Sequence, residues 1–173
     1  MAIASADASL QDYQQHLRML LAWIAPLEAW LSTFADGPQA HPMLPPLARA
    51  ALLANDLAHP SMPPAQPMPF DDRPWPARAS AAYRWGVCYV VEGSQLGGAV
   101  LYQRLKQQLA PHPLSYLQGE RHGPGPRWRA FMLALREQVQ GEHAIAEACR
   151  GARDAFDRIL ALRAPQDCRF SNG

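Results

Sequence analysis

A run of prolines in the middle of the chain constrains the fold more than any other sequence feature. Residues 59–76 hold seven of the chain's 17 prolines. Proline lacks a backbone N–H and fixes φ, so neither a helix nor an inner strand persists through such a run. These residues are therefore predicted to form an extended surface connection between helical segments on either side.

The segments on both sides of this connection carry the apolar spacing of helices. Over residues 10–34 the apolar side chains recur at steps of three and four, which is one helical face, and Pro26 is expected to bend this helix near Trp23. No segment shows strand alternation flanked by hairpin turns. Further helices are predicted over residues 44–57, 77–109, 128–139 and 143–162, with a loop over 117–128 that is rich in Gly and Pro.

These helices predict an all-α fold, a single-domain bundle of about five or six helices. The domain is expected to span residues 1–173 and to end in a polar tail over residues 164–173. The last predicted helix carries most of its apolar residues on one side, namely Ile145, Cys149, Ala152, Phe156, Ile159 and Leu160.

Composition excludes several function classes. The formal net charge of +1 gives no strong basic field to attract nucleic acid or anionic lipid. The start of the chain lacks the pattern of a signal peptide, and no stretch approaches the ~18 apolar residues of a membrane span, so a cytoplasmic protein is expected. Cys88, Cys149 and Cys168 show no CxxC spacing, which predicts reduced structural thiols rather than disulfides or a zinc site.

The stretch YVVEGSQLGGAV, residues 89–100, places three glycines inside the longest predicted helix. Together Gly93, Gly97 and Gly98 forgo about 3 kcal/mol of helix propensity relative to alanine. One interpretation is close helix packing, because Gly93 and Gly97 share a face. The other is that a broad, flat ligand lies against the bare backbone, where the helix kinks and Ser94 and Gln95 supply small polar groups.

Residues 86–98, GVCYVVEGSQLGG, resemble the distal-helix signature of bacterial biliverdin-producing heme oxygenases of the bacteriophytochrome-associated type. The resemblance extends to YQQHLRMLLAWIAPLEAWL, PRWRAFMLAL and ARDAFDRIL, and so covers most of the chain. It implies a heme oxygenase-like fold in which heme is both cofactor and substrate and is cleaved oxidatively to biliverdin, carbon monoxide and iron. It also implies a ferredoxin- or flavoprotein-type electron donor and, by analogy, a bacteriophytochrome that receives the product.

The resemblance also implies roles for individual residues. Gly93, Gly97 and Gly98 would let the helix lie close over the heme iron, while Ser94 and Gln95 would hold a water network that delivers protons. Tyr89 would contact a heme propionate, with Arg129 as a second, cationic partner. The alternatives are a core aromatic residue for Tyr89 and a solvated surface residue for Arg129. Glu28 and Glu92 are expected to make structural hydrogen bonds, and no residue is assigned as a metal ligand.

The family's axial histidine lies on a helix upstream of the position that matches Tyr13, yet residues 1–12 contain no histidine. The six histidines of the chain are expected to be solvated or to cap helices. One expectation is an incomplete enzyme with weak heme binding and an uncovered apolar face that favours a dimer. A second is an impaired or inactive homologue that only binds heme or another tetrapyrrole. A third is a hydrolase of the thiamine-salvaging type, with Cys88 as nucleophile near Glu92.

Overall fold

The computed structural model describes residues 2–5, 7–64, 67, 71–119 and 122–163, and within these ranges it contains helices and no strand. This confirms the predicted all-α class. No helix in the described part of the chain combines the length and hydrophobicity that crossing a membrane requires. The polar tail predicted over residues 164–173 and part of the proline-rich run lie outside the described residues. The α-helices are α1 (Leu10–Leu31), α2 (Arg49–Leu57), α3 (Ala81–Leu105), α4 (Ser115–Gln118), α5 (Gly125–Gln138) and α6 (Gly141–Arg163), with 3₁₀ turns at Ala2–Ala4 and Pro38–Ala40.

Local capping fixes where α1 and α3 begin. Ser9 and Asp12 form a capping box, in which the Asp12 carboxylate accepts the Ser9 N–H at 2.8 Å and Ser9 Oγ accepts the Asp12 N–H at 3.2 Å. The Ser80 hydroxyl accepts the Tyr83 N–H at 3.1 Å, so α3 begins at Ala81 instead of at residue 77. The helix then continues without interruption through Gly93 to Leu105, and the kink expected at the glycine cluster stays a prediction.

A contact between distant residues fixes where α2 begins. The Glu28 carboxylate on α1 accepts the backbone N–H groups of Arg49 at 2.8 Å and of Ala50 at 3.3 Å. It therefore caps α2 from outside, and the helix begins at Arg49 instead of at residue 44. The prolines at 45 and 46 remain outside the helix, because the residue before a proline disfavours the helical conformation.

The central helix α3 packs against α6, α5 and α4, and its closest approach is to α6. A Cβ atom added at Gly86 would lie 1.8 Å from the Ala148 carbonyl oxygen, and one added at Gly151 would lie 2.0 Å from the Tyr83 carbonyl oxygen. The two backbones therefore touch at positions where only glycine fits. The close-packing role that the sequence suggested for Gly93 and Gly97 is performed by Gly86 instead.

The buried side of α6 differs from the side on which its apolar residues cluster. The buried residues of this helix are Gly151, Ala155 and Leu162, since small side chains permit the close approach to α3. The large apolar side chains of Ile145, Phe156 and Leu160 are instead about half exposed.

The described residues at the end of the proline-rich run pack against the helix bundle and form hydrogen bonds with it. The Trp75 ring stacks on Trp30 with centroids 4.8 Å apart, and the Arg158 guanidinium lies 4.1 Å from the centroid of the Trp75 ring. Arg158 also donates to the carbonyl oxygens of Arg73 at 2.6 Å and Pro74 at 2.8 Å. The predicted surface connection is thus packed against α1 and α6 at this end.

Candidate functional site

From Tyr89 to Val100, α3 presents an open, apolar face to solvent. We call it the glycine face and define it by Tyr89, Gly93, Leu96, Gly97 and Val100, which recur at helical spacing. Tyr89 is 39 % exposed, Leu96 37 % and Val100 64 %, and a Cβ added at Gly97 would meet nothing within 4 Å. The protein itself therefore gives no packing reason for glycine at position 97.

Gly98 belongs to a different surface of α3. A Cβ added there would lie 3.7 Å from Leu117 Cδ2, which is an ordinary van der Waals contact with α4. The structure therefore separates Gly98 from Gly97, although the sequence analysis grouped the two as parts of one ligand site.

Trp128 on α5 borders the glycine face. Its ring would lie 3.6 Å from a Cβ added at Gly93, and its centroid is 5.4 Å from that of Tyr89. On the other side it stacks on the buried Phe131 ring at 5.9 Å. The sequence analysis gave Trp128 no role beyond its place in the stretch PRWRAFMLAL, because nothing in its local spacing distinguished it from a core aromatic residue.

A buried ionic cluster lies directly beside the glycine face. Arg49 Nη2 lies 2.8 Å from the Glu92 carboxylate. Arg127 donates to the same carboxylate through Nε at 2.9 Å and Nη2 at 3.0 Å. The side chains of all three residues are largely buried. Glu92, like Glu28 at the start of α2, thus makes the structural hydrogen bonds that the sequence led us to expect.

Ser94 and Gln95 form hydrogen bonds within the protein. The Ser94 hydroxyl donates to the Val91 carbonyl at 2.7 Å, and Gln95 Nε2 donates to the Tyr116 hydroxyl oxygen at 2.9 Å. Burial raises the pKa of the Tyr116 phenol, which therefore stays protonated at neutral pH. Tyr116 lies on α4 and was missed by sequence reasoning, because a four-residue helix between prolines and glycines leaves no periodic signal.

Asp56 anchors α4 beneath α3. Its carboxylate accepts the Tyr13 hydroxyl at 2.6 Å and the backbone N–H groups of Ser115 at 3.1 Å and Tyr116 at 2.9 Å. Its backbone carbonyl lies 3.1 Å from His112 Nε2. This buried network connects α1 and α2 to the residue that holds Gln95, and no local motif in the sequence pointed to it.

Two cavities meet at the ionic cluster. The larger, of about 330 Å³, has mainly apolar walls from α1, α3 and α5, and the smaller, of about 140 Å³, reaches Gln95 and Tyr116. Arg49, Glu92 and Arg127 line both. The cluster thus lies at the boundary between two cavities whose walls are both mainly apolar.

Cys88 lines the larger cavity and is fully enclosed. Burial, together with the charge of Glu92, raises the pKa of its thiol to about 12. A thiol that is neutral near pH 7 is a poor nucleophile, so the environment of Cys88 disfavours the hydrolase alternative. Among the described residues, Cys88 is a buried free thiol and Cys149 an exposed one, and Cys168 lies outside this part of the chain.

The histidines do not all match the solvated or capping role predicted for them. His112 is buried, with Nε2 facing the Asp56 carbonyl and Nδ1 accepting the Leu114 N–H at 3.0 Å. His16 on α1 is partly buried, and burial lowers its pKa to about 4. In the described ranges, no group of three or more His, Cys, Asp or Glu residues is arranged to hold a metal ion.

Arg129 is exposed on α5, with Nη1 lying 3.6 Å from where a Gly125 Cβ would be. Its contact with a propionate therefore stays a prediction. Tyr89 is in contact with Trp128 and part of its ring is open to solvent, so it is not a fully enclosed core aromatic residue.

Comparison with known proteins gives a consistent result. A family model described as heme oxygenase matches residues 2–162. A heme oxygenase of Xanthomonas campestris pv. campestris (strain 8004) is 32 % identical over 154 residues, which are 87 % of this chain and 86 % of that protein. The NO- and CO-bound heme oxygenase structure from Neisseria meningitidis aligns with a TM-score of 0.66 and 26 % identity, over 91 % of this chain and 80 % of that one.

Proposed function

Since the chain belongs to the heme oxygenase family, we propose that it binds heme on the glycine face and cleaves it oxidatively to biliverdin, carbon monoxide and iron. The observation that carries the proposal is the open space at Gly97 on an apolar helix face that stays exposed. A porphyrin is broad, flat and largely apolar, so it fits a face from which side chains are missing. When bound, heme supplies the iron at which oxygen is activated for attack on the porphyrin ring.

The residues of the glycine face bind and orient the ring. Gly93 and Gly97 let it approach the helix backbone, while Leu96 and Val100 make apolar contact and exclude water. Trp128 limits how far the ring extends on one side. This arrangement leaves few directions of approach to the porphyrin edge, which favours attack at one position.

The polar groups of the proposed site have two separate roles, one in binding the heme propionates and one in ordering water. Tyr89, at one end of the glycine face, donates its hydroxyl to a propionate, and Arg129 supplies the cationic partner. Ser94 and Gln95 order water for proton delivery, and the Tyr116 hydroxyl holds the Gln95 amide in place. The smaller cavity beside Gln95 gives that water room.

Electrons come from a ferredoxin- or flavoprotein-type donor, as the family requires a reductase. The resemblance of residues 86–98 to the bacteriophytochrome-associated type supports a cytoplasmic protein that passes its product to a phytochrome. This partnership predicts that an apo-phytochrome mixed with the enzyme and heme under turnover conditions gains its chromophore absorption.

A second candidate function is a heme- or tetrapyrrole-binding protein without oxygenase activity. It is favoured by His112, a buried histidine whose two ring nitrogens are both engaged within the protein. The half-exposed apolar side chains of Ile145, Phe156 and Leu160 also support a dimer formed through this uncovered side of α6.

Heme titration separates these functions. Oxygenase function predicts a saturable Soret band, followed by biliverdin absorption when reductant and oxygen are added. Saturable binding without turnover would assign the binding function, and a heme spectrum that never saturates would contradict both. Size-exclusion chromatography of Ile145→Ser, compared with the wild-type protein, tests the dimer.

A further inference from the structure

We propose that Arg127 is a positioning residue, which together with Glu92 holds Trp128 at the border of the glycine face and thereby sets where the edge of the heme lies. The proposal rests on the proposed function, because it assigns heme to that face. Arg127 itself lies in the ionic cluster and makes no contact with the glycine face in the proposal.

The order of residues along both helices makes this coupling direct. Glu92 immediately precedes Gly93 on α3, and Arg127 immediately precedes Trp128 on α5. Arg127 Nε lies 2.9 Å from one carboxylate oxygen of Glu92, and Nη2 lies 3.0 Å from the other. A two-pronged contact of this kind fixes orientation as well as distance, so it limits how the first turn of α5 can rotate.

Arg127 also connects this turn to a third segment. Its Nη1 donates to the Pro45 carbonyl at 2.7 Å, and Arg49 Nη2 contacts the same Glu92 carboxylate at 2.8 Å. The side chains of Glu92 and Arg127 are only 8 % and 13 % exposed, so water cannot readily replace either partner. Among the residues that the structure describes, no side-chain cap hydrogen bond holds the start of α5, and Arg127 secures this turn through Glu92 and the Pro45 carbonyl.

The position of Trp128 has a consequence for the ligand. Its ring would lie 3.6 Å from a Cβ at Gly93 and contacts Tyr89, the proposed propionate donor. A small rotation of the first turn of α5 therefore moves the ring across or away from the glycine face. Such a shift changes which porphyrin edge is left accessible, and so changes the isomer composition of the biliverdin formed.

The first test uses heme-free protein and requires no activity. Arg127→Ala is expected to change the near-UV circular dichroism in the tryptophan region. Because the chain has five tryptophans, the same change is measured in a Trp128→Phe background, where it should vanish. Arg127→Lys keeps the charge but loses the two-pronged contact. Its spectrum should therefore lie between those of the wild-type protein and Arg127→Ala. Arg136→Ala, an exposed arginine on the same helix, should match the wild-type protein.

The second test adds heme. Arg127→Ala should bind it about tenfold more weakly, the size expected when a bound group is slightly misplaced, and should yield a mixture of biliverdin isomers. Arg127→Lys is the variant to use if Arg127→Ala does not fold, and it should shift in the same direction. An unchanged near-UV spectrum, or a change that persists without Trp128, would overturn the positioning role alone. A wild-type protein that binds no heme would contradict the proposed function, and with it the heme part of this inference.

Discussion

The two halves of α3 use glycine for opposite purposes. In the first half, Gly86 sits where a Cβ would lie 1.8 Å from a carbonyl of α6, and most neighbouring side chains are buried. In the second half, Gly97 faces open space, and Leu105 at the end of the helix is the one side chain beyond Glu92 that is buried. One glycine permits contact between backbones, whereas the other leaves a surface uncovered.

This contrast shows how one helix can serve both the core and the site. The helix is anchored along residues 81–92 by close packing and by the ionic cluster at Glu92. That anchoring supports a second half whose helix propensity is low and whose face has few partners within the protein. Stability and the proposed heme binding therefore depend on different parts of a single helix.

The largest effect is expected from alanine at Gly86. The added methyl group must force α3 and α6 apart, so Gly86→Ala should lower the free energy of unfolding by about 3 kcal/mol. The matched control is Gly97→Ala on the same helix, which should raise it by as much as about 1 kcal/mol, since alanine favours the helix and meets nothing. Urea denaturation monitored by far-UV circular dichroism measures both, and equal losses in the two variants would erase the contrast.

A larger side chain at Gly97 should act on heme and leave the fold intact. Leucine there would cover the surface on which the porphyrin lies, so Gly97→Leu should weaken heme binding by about tenfold, or about 1.4 kcal/mol. Heme titration followed at the Soret band measures this, with Leu133→Ala as control because Leu133 is exposed on α5 outside the glycine face. Unchanged affinity in Gly97→Leu would place the ligand elsewhere.

Two of the three tyrosines of α3, Tyr83 and Tyr89, extend the contrast to hydroxyl groups. Tyr83 in the first half is buried and donates its hydroxyl to Asp154 on α6, so Tyr83→Phe should cost about 1 kcal/mol of stability. Tyr89 on the glycine face is partly exposed, and Tyr89→Phe should leave stability within about 0.5 kcal/mol of the wild-type protein. Thermal unfolding of both variants checks this. A stability loss at Tyr89 that matches the loss at Tyr83 would show that the glycine face is not open at this position.

The smallest effect on the protein is expected from a comparison of thiol accessibility at two positions of α3. In a Cys149→Ser, Cys168→Ser background, Cys88 should react with Ellman's reagent at pH 8 only when the protein unfolds, because it is buried and its pKa is raised to about 12. Val100→Cys, added after Cys88→Ala, should react at once, because Val100 is 64 % exposed. Similar rates at the two positions would argue against an open second half.

Sequence patterns predicted what depends on neighbours along the chain. The apolar spacing of α1 is local, and the predicted helix forms over Leu10–Leu31. The cap at Ser80 is also local but was not recognised, so α3 was predicted to begin at residue 77 instead of Ala81. The start of α2 was not predictable because its cap, Glu28, is distant in sequence. The role of Gly86 was hidden because α3 contains other glycines, and only the position of α6 distinguishes them.

The site was predictable only in part for the same reason. The glycine stretch and Tyr89 lie within one helix, so their common face follows from spacing alone. Trp128 and Tyr116 come from α5 and α4, and they reach α3 through contacts between distant parts of the chain. The orientation of Gln95 toward α4 likewise depends on Tyr116, which no pattern in the sequence connects to it.

Hydrogen exchange of the α3 amides with and without heme tests the central claim most directly. The account predicts that heme slows exchange over residues 93–105 and around Trp128, while residues 81–92, already protected by packing against α6, change little. Gly97→Leu should remove most of this heme-dependent protection. Heme-dependent protection confined to the first half of α3, or located on another helix and unaffected by Gly97→Leu, would contradict the assignment of the glycine face as the heme site.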